Sequence, residues 1–244
     1  MKKNIIISCV LLILSFSTQA QNWWGNSKSI RGNGHVVTEN RKTSSYDGIS
    51  IGGSFDVILV KGKEGKITLR GEENILKYIE TEVSGSTLKI QYKRNTNIRT
   101  TRKLTITIPY RDIDKISLGG SGNITAKELI KADEMALSIG GSGNINLKID
   151  ANELKTSIGG SGSINVSGSS KELTCSIAGS GSIKAYDLKT SIVNANIAGS
   201  GSIRTTVANQ IKANVVGSGN IYYRGNPKKI SSKSVGSGSI IDKN

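Results

Sequence analysis

An all-β fold, a right-handed parallel β-helix (solenoid) with coils of about 19 residues, is what this sequence predicts. Three observations carry that reading. A pentapeptide Gly-Ser-Gly-Asn/Ser-Ile recurs seven times, with its first glycine at Gly120, Gly141, Gly160, Gly179, Gly199, Gly217 and Gly236, at spacings of 18 to 21 residues. The residues ahead of each copy alternate apolar and polar, the period of a strand with one buried face. Finally, the 244 residues include 29 Gly but only 5% aromatics, so the 36% that are hydrophobic must build a core of small and β-branched side chains packed repetitively. The same composition excludes a coiled coil, a collagen and a disulfide scaffold.

Residues 1–20 read as a secretory signal peptide: Lys2 and Lys3 start it, Ile5 to Phe16 form the apolar run, and Thr18-Gln19-Ala20 is a small-x-small cleavage site. The run falls short of the roughly 18 to 20 apolar residues that span a bilayer. Cys9 precedes the run instead of following it, which argues against a lipid anchor. The expected location is therefore the periplasm, the cell surface or the medium. Losing Lys2 and Lys3 would lower the net charge from +15 to +13. Residues 21–44, with Trp23 and Trp24, read as a flexible lead-in or N-terminal cap, and residues 45–244 as a single β-helix domain.

Within that domain Ile51-Gly52-Gly53-Ser54 matches Ile139-Gly140-Gly141-Ser142, and Gly53 precedes Gly120 by 67 residues, between three and four periods. The solenoid is thus expected to start near residue 45 and to run for about ten or eleven coils at the observed period. Strand-like runs fill the interval at Ser54 to Lys61, Lys66 to Arg70, Thr87 to Tyr92 and Leu104 to Pro109. Glu72 to Glu80 reads as a short helix or an irregular coil, because Ile75, Leu76 and Ile79 fall at helical spacing between strands.

In the regular part, three columns form the expected core. Met135, Leu154, Leu173, Val193, Ile211 and Ile230 make one; Ile139, Ile158, Ile177, Ile197, Val215 and Ser234 another; Leu137, Thr156, Cys175, Ala195, Ala213 and Ser232 lie between them. Equivalent residues of adjacent coils stack at about 4.8 Å, so each column is a ladder. Ser121, Ser142, Ser161, Ser180, Ser200, Ser218 and Ser237 are expected to form a structural ladder, with an Asn/Ser ladder two positions on, and the flanking glycines permit positive φ or close approach at a bend.

The residues Tyr46-Asp47-Gly48-Ile49, Gly52-Gly53-Ser54-Phe55-Asp56-Val57 and Leu69-Arg70-Gly71-Glu72-Glu73-Asn74-Ile75-Leu76, followed by the tandem Gly-Ser-Gly-Asn-Ile, resemble the bacterial family of the putative auto-transporter adhesin head GIN domain, over about residues 30 to 241. The resemblance implies a parallel β-helix exported to the cell envelope. It carries no catalytic residues onto this chain, and its adhesin label is a fold-level analogy.

Chemistry has few footholds. The calcium nonapeptide needs an aspartate where Ile145 and Ile164 stand, no phosphate-binding glycine loop is present, and His35 is the single histidine. No cofactor and no metal site are expected, and Cys175 is read as core packing. One constellation could support a rival reading as a polysaccharide-active enzyme, a glycoside hydrolase or lyase. Glu134, Glu153 and Glu172 should stack on adjacent coils about 5 Å apart, near the carboxyl separation of a retaining glycosidase. Against it, Lys155 and Lys171 stand nearby and no aromatic platform accompanies the column.

Cations are the stronger signal. Lys93, Arg94, Arg99, Arg102 and Lys103 cluster between Tyr92 and Tyr110, while Arg224, Lys228, Lys229 and Lys233 follow Tyr222 and Tyr223. Such clusters suit anionic glycans, and without a groove-entering element specific nucleic-acid binding is not expected. The sequence therefore reads as a non-catalytic envelope or surface module, adhesin-like or structural, with anionic polysaccharide as the expected ligand class. Self-association through exposed strand edges at the solenoid ends is also expected, unless a cap folded from elsewhere covers them.

Overall fold

The computed structural model describes residues 28–244. The signal peptide, Trp23 and Trp24 lie outside the described residues. The N-terminal part comprises β1 (Lys28–Arg31), β2 (Val36–Lys42), β3 (Gly48–Gly52), β4 (Asp56–Lys61), β5 (Lys66–Glu72), α1 (Glu73–Leu76), β6 (Ile79–Ser84), β7 (Thr87–Tyr92), β8 (Thr96–Arg99) and β9 (Thr105–Tyr110). The repetitive part comprises β10 (Lys115–Gly120), β11 (Asn123–Gly141), β12 (Asn144–Gly160), β13 (Ser163–Gly179), β14 (Ser182–Gly199), β15 (Ser202–Gly217), β16 (Asn220–Arg224), β17 (Lys229–Val235) and β18 (Ser239–Asp242). Strands β10 to β18 pair in parallel with the strands of the neighbouring coil, giving a β-solenoid of about 7 turns with ~19-residue coils.

Seven turns, not ten or eleven, follow from how residues 62–114 fold. Strand β3 pairs directly with β10, Ser50 opposite Ser117 and Ile51 opposite Leu118, and Gly53 N–H donates to Gly119 O at 2.9 Å. The 67-residue offset is one register step. The intervening chain makes one further parallel layer, β7 on β3 and β9 on β4, and then turns antiparallel: β6 on β7, β5 on β9, β2 on β5. Antiparallel pairs close through tight turns, so they finish the stack instead of extending it. Helix α1 is a single turn before β6, because the apolar residues after Leu76 alternate at strand period.

The glycine pattern has a steric cause. The first glycine of every motif has φ between 113° and 154°, and a Cβ there would stand 2.4–2.5 Å from the carbonyl oxygen of the equivalent glycine one coil earlier. The third residue is as constrained: a Cβ at Gly162 would meet Gly143 O at 2.6 Å and Ile139 Cγ2 at 2.7 Å. Coils can stack at strand spacing here only without side chains. The glycine just before each motif is different. Nothing lies within 4 Å of a Cβ at Gly140, and the same column becomes Ala178, Ala198, Val216 and Val235 in later coils.

Inside, Leu154, Ile158, Leu173, Ile177, Val193 and Ile197 are all buried as the columns require, each contributing about 1.5–3 kcal/mol by leaving water. Ile230 departs from its column: it is 54% exposed, because β17 packs against one neighbouring coil only. The seven motif serines are exposed. Their ladder runs through the backbone, as in Ser161 N–H to Gly141 O at 3.0 Å, and the hydroxyls face solvent. The Asn ladder does form, with Asn123 Nδ2 donating to Asp56 Oδ1 at 2.7 Å and Asn144 Nδ2 to Asn123 Oδ1 at 2.9 Å.

Candidate functional site

Register places two exposed faces for comparison. On the first, the column Asp56, Asn123, Asn144, Ser163, Ser182, Ser202, Asn220 and Ser239 runs the length of the stack. Six register steps from Asp56 to Asn220 make it about 29 Å long at ~4.8 Å per step. Two residues further along each strand lies a second outward column: Thr125, Asn146, Asn165, Lys184, Arg204 and Tyr222. The other face carries the strip Gly140, Gly159, Ala178, Ala198 and Val216, flanked by Ser157, Ser176, Asn196 and Asn214. There the chain leaves a shallow apolar concavity of about 520 Å³.

Of the N-terminal basic cluster, Lys93, Arg94, Arg99, Arg102 and Lys103 are all exposed. Lys103 alone of the five pairs with an acid, Nζ lying 3.1 Å from Asp56 Oδ2 at the head of the first column. Arg99 stands in register with Arg31 of β1, a cation the sequence gave no reason to place here. The loop is held from below by Glu72. Its carboxylate, 1% exposed, accepts hydrogen bonds from Gly34 N (2.7 Å), Thr101 N (2.8 Å), Thr101 Oγ1 (2.6 Å) and Arg102 N (3.2 Å). Burial alone would raise its pKa, but these four donors outweigh it and hold the carboxyl at about 2. Asn74 completes the clamp, donating to Arg31 O at 2.7 Å and accepting from Asn33 N at 3.0 Å. The Gly-Glu-Glu-Asn motif is thus a fastener for residues 31–35 and the basic loop.

The tyrosines expected beside this cluster do not serve as platforms. Tyr92 packs on Phe55 with ring centroids 4.6 Å apart, and burial pushes its hydroxyl up to about 12. Tyr110 is 2% exposed. Tyr46, 4% exposed, donates its hydroxyl to Pro109 O, and burial raises its pKa well above the ordinary value.

The C-terminal cluster separates into three. Lys228 and Lys229 sit exposed at the corner leading into β17, and Lys233 lies in register with Asn214 on the strip face. Arg224 stays on the first face, where its guanidinium lies 4.1 Å from the Tyr186 ring centroid. Tyr222 points outward, with Arg204 at 5.4 Å and Lys243 Nζ at 5.6 Å from its ring, whereas Tyr223 is 7% exposed and belongs to the core. Lys184, Tyr186, Arg204 and Lys243 were missed because they are scattered in the chain. Outward positions compared at the 18–20-residue offset would have found them.

Glu134, Glu153 and Glu172 do stack in register. Lys155 lies between the first two, 3.4 Å from Glu134 Oε2 and 3.2 Å from Glu153 Oε2, and hydrogen bonding to both raises its pKa. Glu172 Oε1 accepts from Asn194 Nδ2 at 2.9 Å. Glu134 also borders a concavity of about 390 Å³ with Asp47, Asp112, Asp114 and Asp133. Among the described residues no group of three or more His, Cys, Asp and Glu side chains is placed to hold a metal ion. His35 is exposed beside Glu73, at 3.2 Å. Cys175 is fully buried between Thr156 and Ala195, and burial pushes its thiol up to about 12. Among the described residues no helix is long and apolar enough to cross a membrane.

A family model described as "Putative auto-transporter adhesin, head GIN domain" matches residues 45–227. No curated protein matches the chain. Among solved structures, a "putative lipid binding protein" from Parabacteroides distasonis is 32% identical, with TM-score 0.75 over 89% of this chain and 100% of that one. A "putative adhesin" from Parabacteroides merdae is 25% identical, with TM-score 0.70 over 89% and 100%. A "putative adhesin" from Bacteroides fragilis, 24% identical and alike in fold, has TM-score 0.84 over 88% and 100%.

Proposed function

This chain belongs to the head GIN domain family, and from that premise we propose that it is a non-catalytic, exported surface module that binds anionic glycans through its exposed cations. One observation carries the reading. Of Lys93, Arg94, Arg99, Arg102, Lys103, Arg224, Lys228 and Lys229, only Lys103 has a carboxylate partner within ion-pair distance. Unpaired cations on a rigid frame keep their field for a partner and lose little entropy on binding. The Glu134–Glu153–Glu172 column, by contrast, is already occupied by Lys155 and Asn194.

The test is a binding screen on acidic and neutral glycans at two salt concentrations. The expected result is binding to acidic glycans that weakens with salt, as exposed charges are screened beyond roughly 10 Å at 0.1 M. Absence of binding to every acidic glycan, or salt-independent binding to neutral ones, overturns the proposal. Sugar release from a polysaccharide panel that Glu153→Gln abolishes would establish the enzyme instead.

A second reading has its own observation. The exposed Ala178, Ala198 and Val216 strip could seat an acyl chain, in keeping with the printed description of the P. distasonis relative. Binding to neutral phosphatidylcholine vesicles, lost on Ala198→Lys, would favour it. The exposed β17 edge also offers a surface for self-association. Light scattering that finds a strict monomer at high concentration would remove that proposal.

A further inference from the structure

Four cations on the first face share a feature that the rest of the surface lacks. Lys184, Arg204, Arg224 and Lys243 belong to neighbouring coils, and the ion pairs of the described residues include none of them. Three are held against aromatic rings instead: Arg224 against Tyr186, and Arg204 and Lys243 against Tyr222. A ring orients a cation without neutralising it, so the positive charge is fixed in place and still available. The strands beneath are paired on both sides in β14, β15 and β16, so the patch rests on a rigid lattice.

The spacing is that of the lattice. Lys184 and Arg204 are one register step apart, Arg204 and Tyr222 another, with Arg224 two residues beyond Tyr222 and Lys243 on the next coil. Cations therefore recur every 5 Å or so along the solenoid axis. The neighbouring column Ser182, Ser202, Asn220 and Ser239 lines the same face with small polar groups. Nucleobases would need free ring faces to stack on, and here cations already occupy the rings.

We propose that this face is a binding site for a linear acidic polysaccharide, whose successive carboxylate or sulfate groups are matched by Lys184, Arg204, Arg224 and Lys243 along the solenoid axis. The site rests on the anionic-glycan reading above and assigns it to the C-terminal coils, away from the N-terminal cluster. Lys103, spent on Asp56, marks where the same face is already compensated.

The experiment titrates the full chain with polygalacturonate and with dextran sulfate, using neutral dextran, single-stranded DNA and phosphatidylglycerol vesicles as comparators. A variant with Lys184→Gln, Arg204→Gln, Arg224→Gln and Lys243→Gln is compared with one carrying Lys93→Gln, Arg94→Gln and Arg102→Gln. The expected result is a loss of at least about tenfold in affinity for the acidic polysaccharides in the first variant and less than about twofold in the second. If the first variant loses its fold, Lys184→Gln with Lys243→Gln, which touches neither arginine, gives the same reading with a smaller loss. Equal binding by the C-terminal variant and lost binding by the N-terminal one would overturn the site while leaving the glycan reading intact. No binding of the wild type to either acidic polysaccharide would overturn both. Tighter binding to DNA or to the vesicles than to the polysaccharides would overturn the site as assigned.

Discussion

The N-terminal block and the regular coils solve the same problem, stacking strands at about 4.8 Å, by opposite means. From residue 115 onward each coil repeats one solution, in which glycine removes the side chain wherever two backbones approach too closely. Before residue 115 nothing repeats: the chain adds one parallel layer, reverses into antiparallel strands and fastens them with the buried carboxylate of Glu72. The difference teaches where each kind of residue can be spared. In the coils the outward positions are unconstrained and free to carry charge, whereas in the block a polar side chain is itself part of the frame.

The comparison is broken most severely inside the motif. Gly160→Val puts a β-branched side chain at φ 139° and against Gly141 O, a backbone conflict that costs on the order of 4 kcal/mol or more. The expected outcome is little soluble protein, or a denaturation midpoint far below wild type. Glu72→Ala ranks next. It orphans the donors of Gly34, Thr101 and Arg102, and the expected loss is about 3 kcal/mol in urea denaturation.

The same carboxylate sets a pH dependence. Its folded pKa of about 2 lies below the ordinary value of 4.5, so its contribution is complete above the unfolded pKa and is lost as pH falls from there toward 2. Glu72→Gln should flatten that acid limb, and an unchanged limb would show that other carboxylates set it. A smaller effect is expected in the core, where Cys175→Ala beside Ala195 costs about 1 kcal/mol. With its thiol held protonated near neutral pH, Cys175 should react with a thiol reagent only after unfolding. Smallest is Gly159→Ala, which meets no atom closer than 4.0 Å and reproduces the alanine of the next coil. Its midpoint should stay within about 0.5 kcal/mol of wild type.

That ranking also explains what could be read in advance. Seven glycine motifs and their alternating flanks specify the coil, its period and its core, because each constraint there is local and recurs. The number of coils could not be read: Gly53 stacks on Gly120 across 67 residues, and sequence distance along a solenoid equals axial distance only while the repeat is unbroken. The purpose of Glu72 was hidden because its partners, Gly34, Thr101 and Arg102, lie far from it in the chain.

The candidate site was legible in part. Arg224 stood out beside Tyr222, but a run of tyrosines does not say which ring faces out, and Tyr223, Tyr92 and Tyr110 turn toward the core. Register, not proximity in sequence, assembles Lys184, Arg204, Arg224 and Lys243.

The most direct test of this division between a fastened block and a charged stack is lysine acetylation footprinting, with and without polygalacturonate, read by mass spectrometry. The account predicts that ligand slows acetylation of Lys184 and Lys243 and leaves Lys93 and Lys103 unchanged. Protection of Lys93 and Lys103 instead, or of no lysine while the ligand is bound, would contradict it.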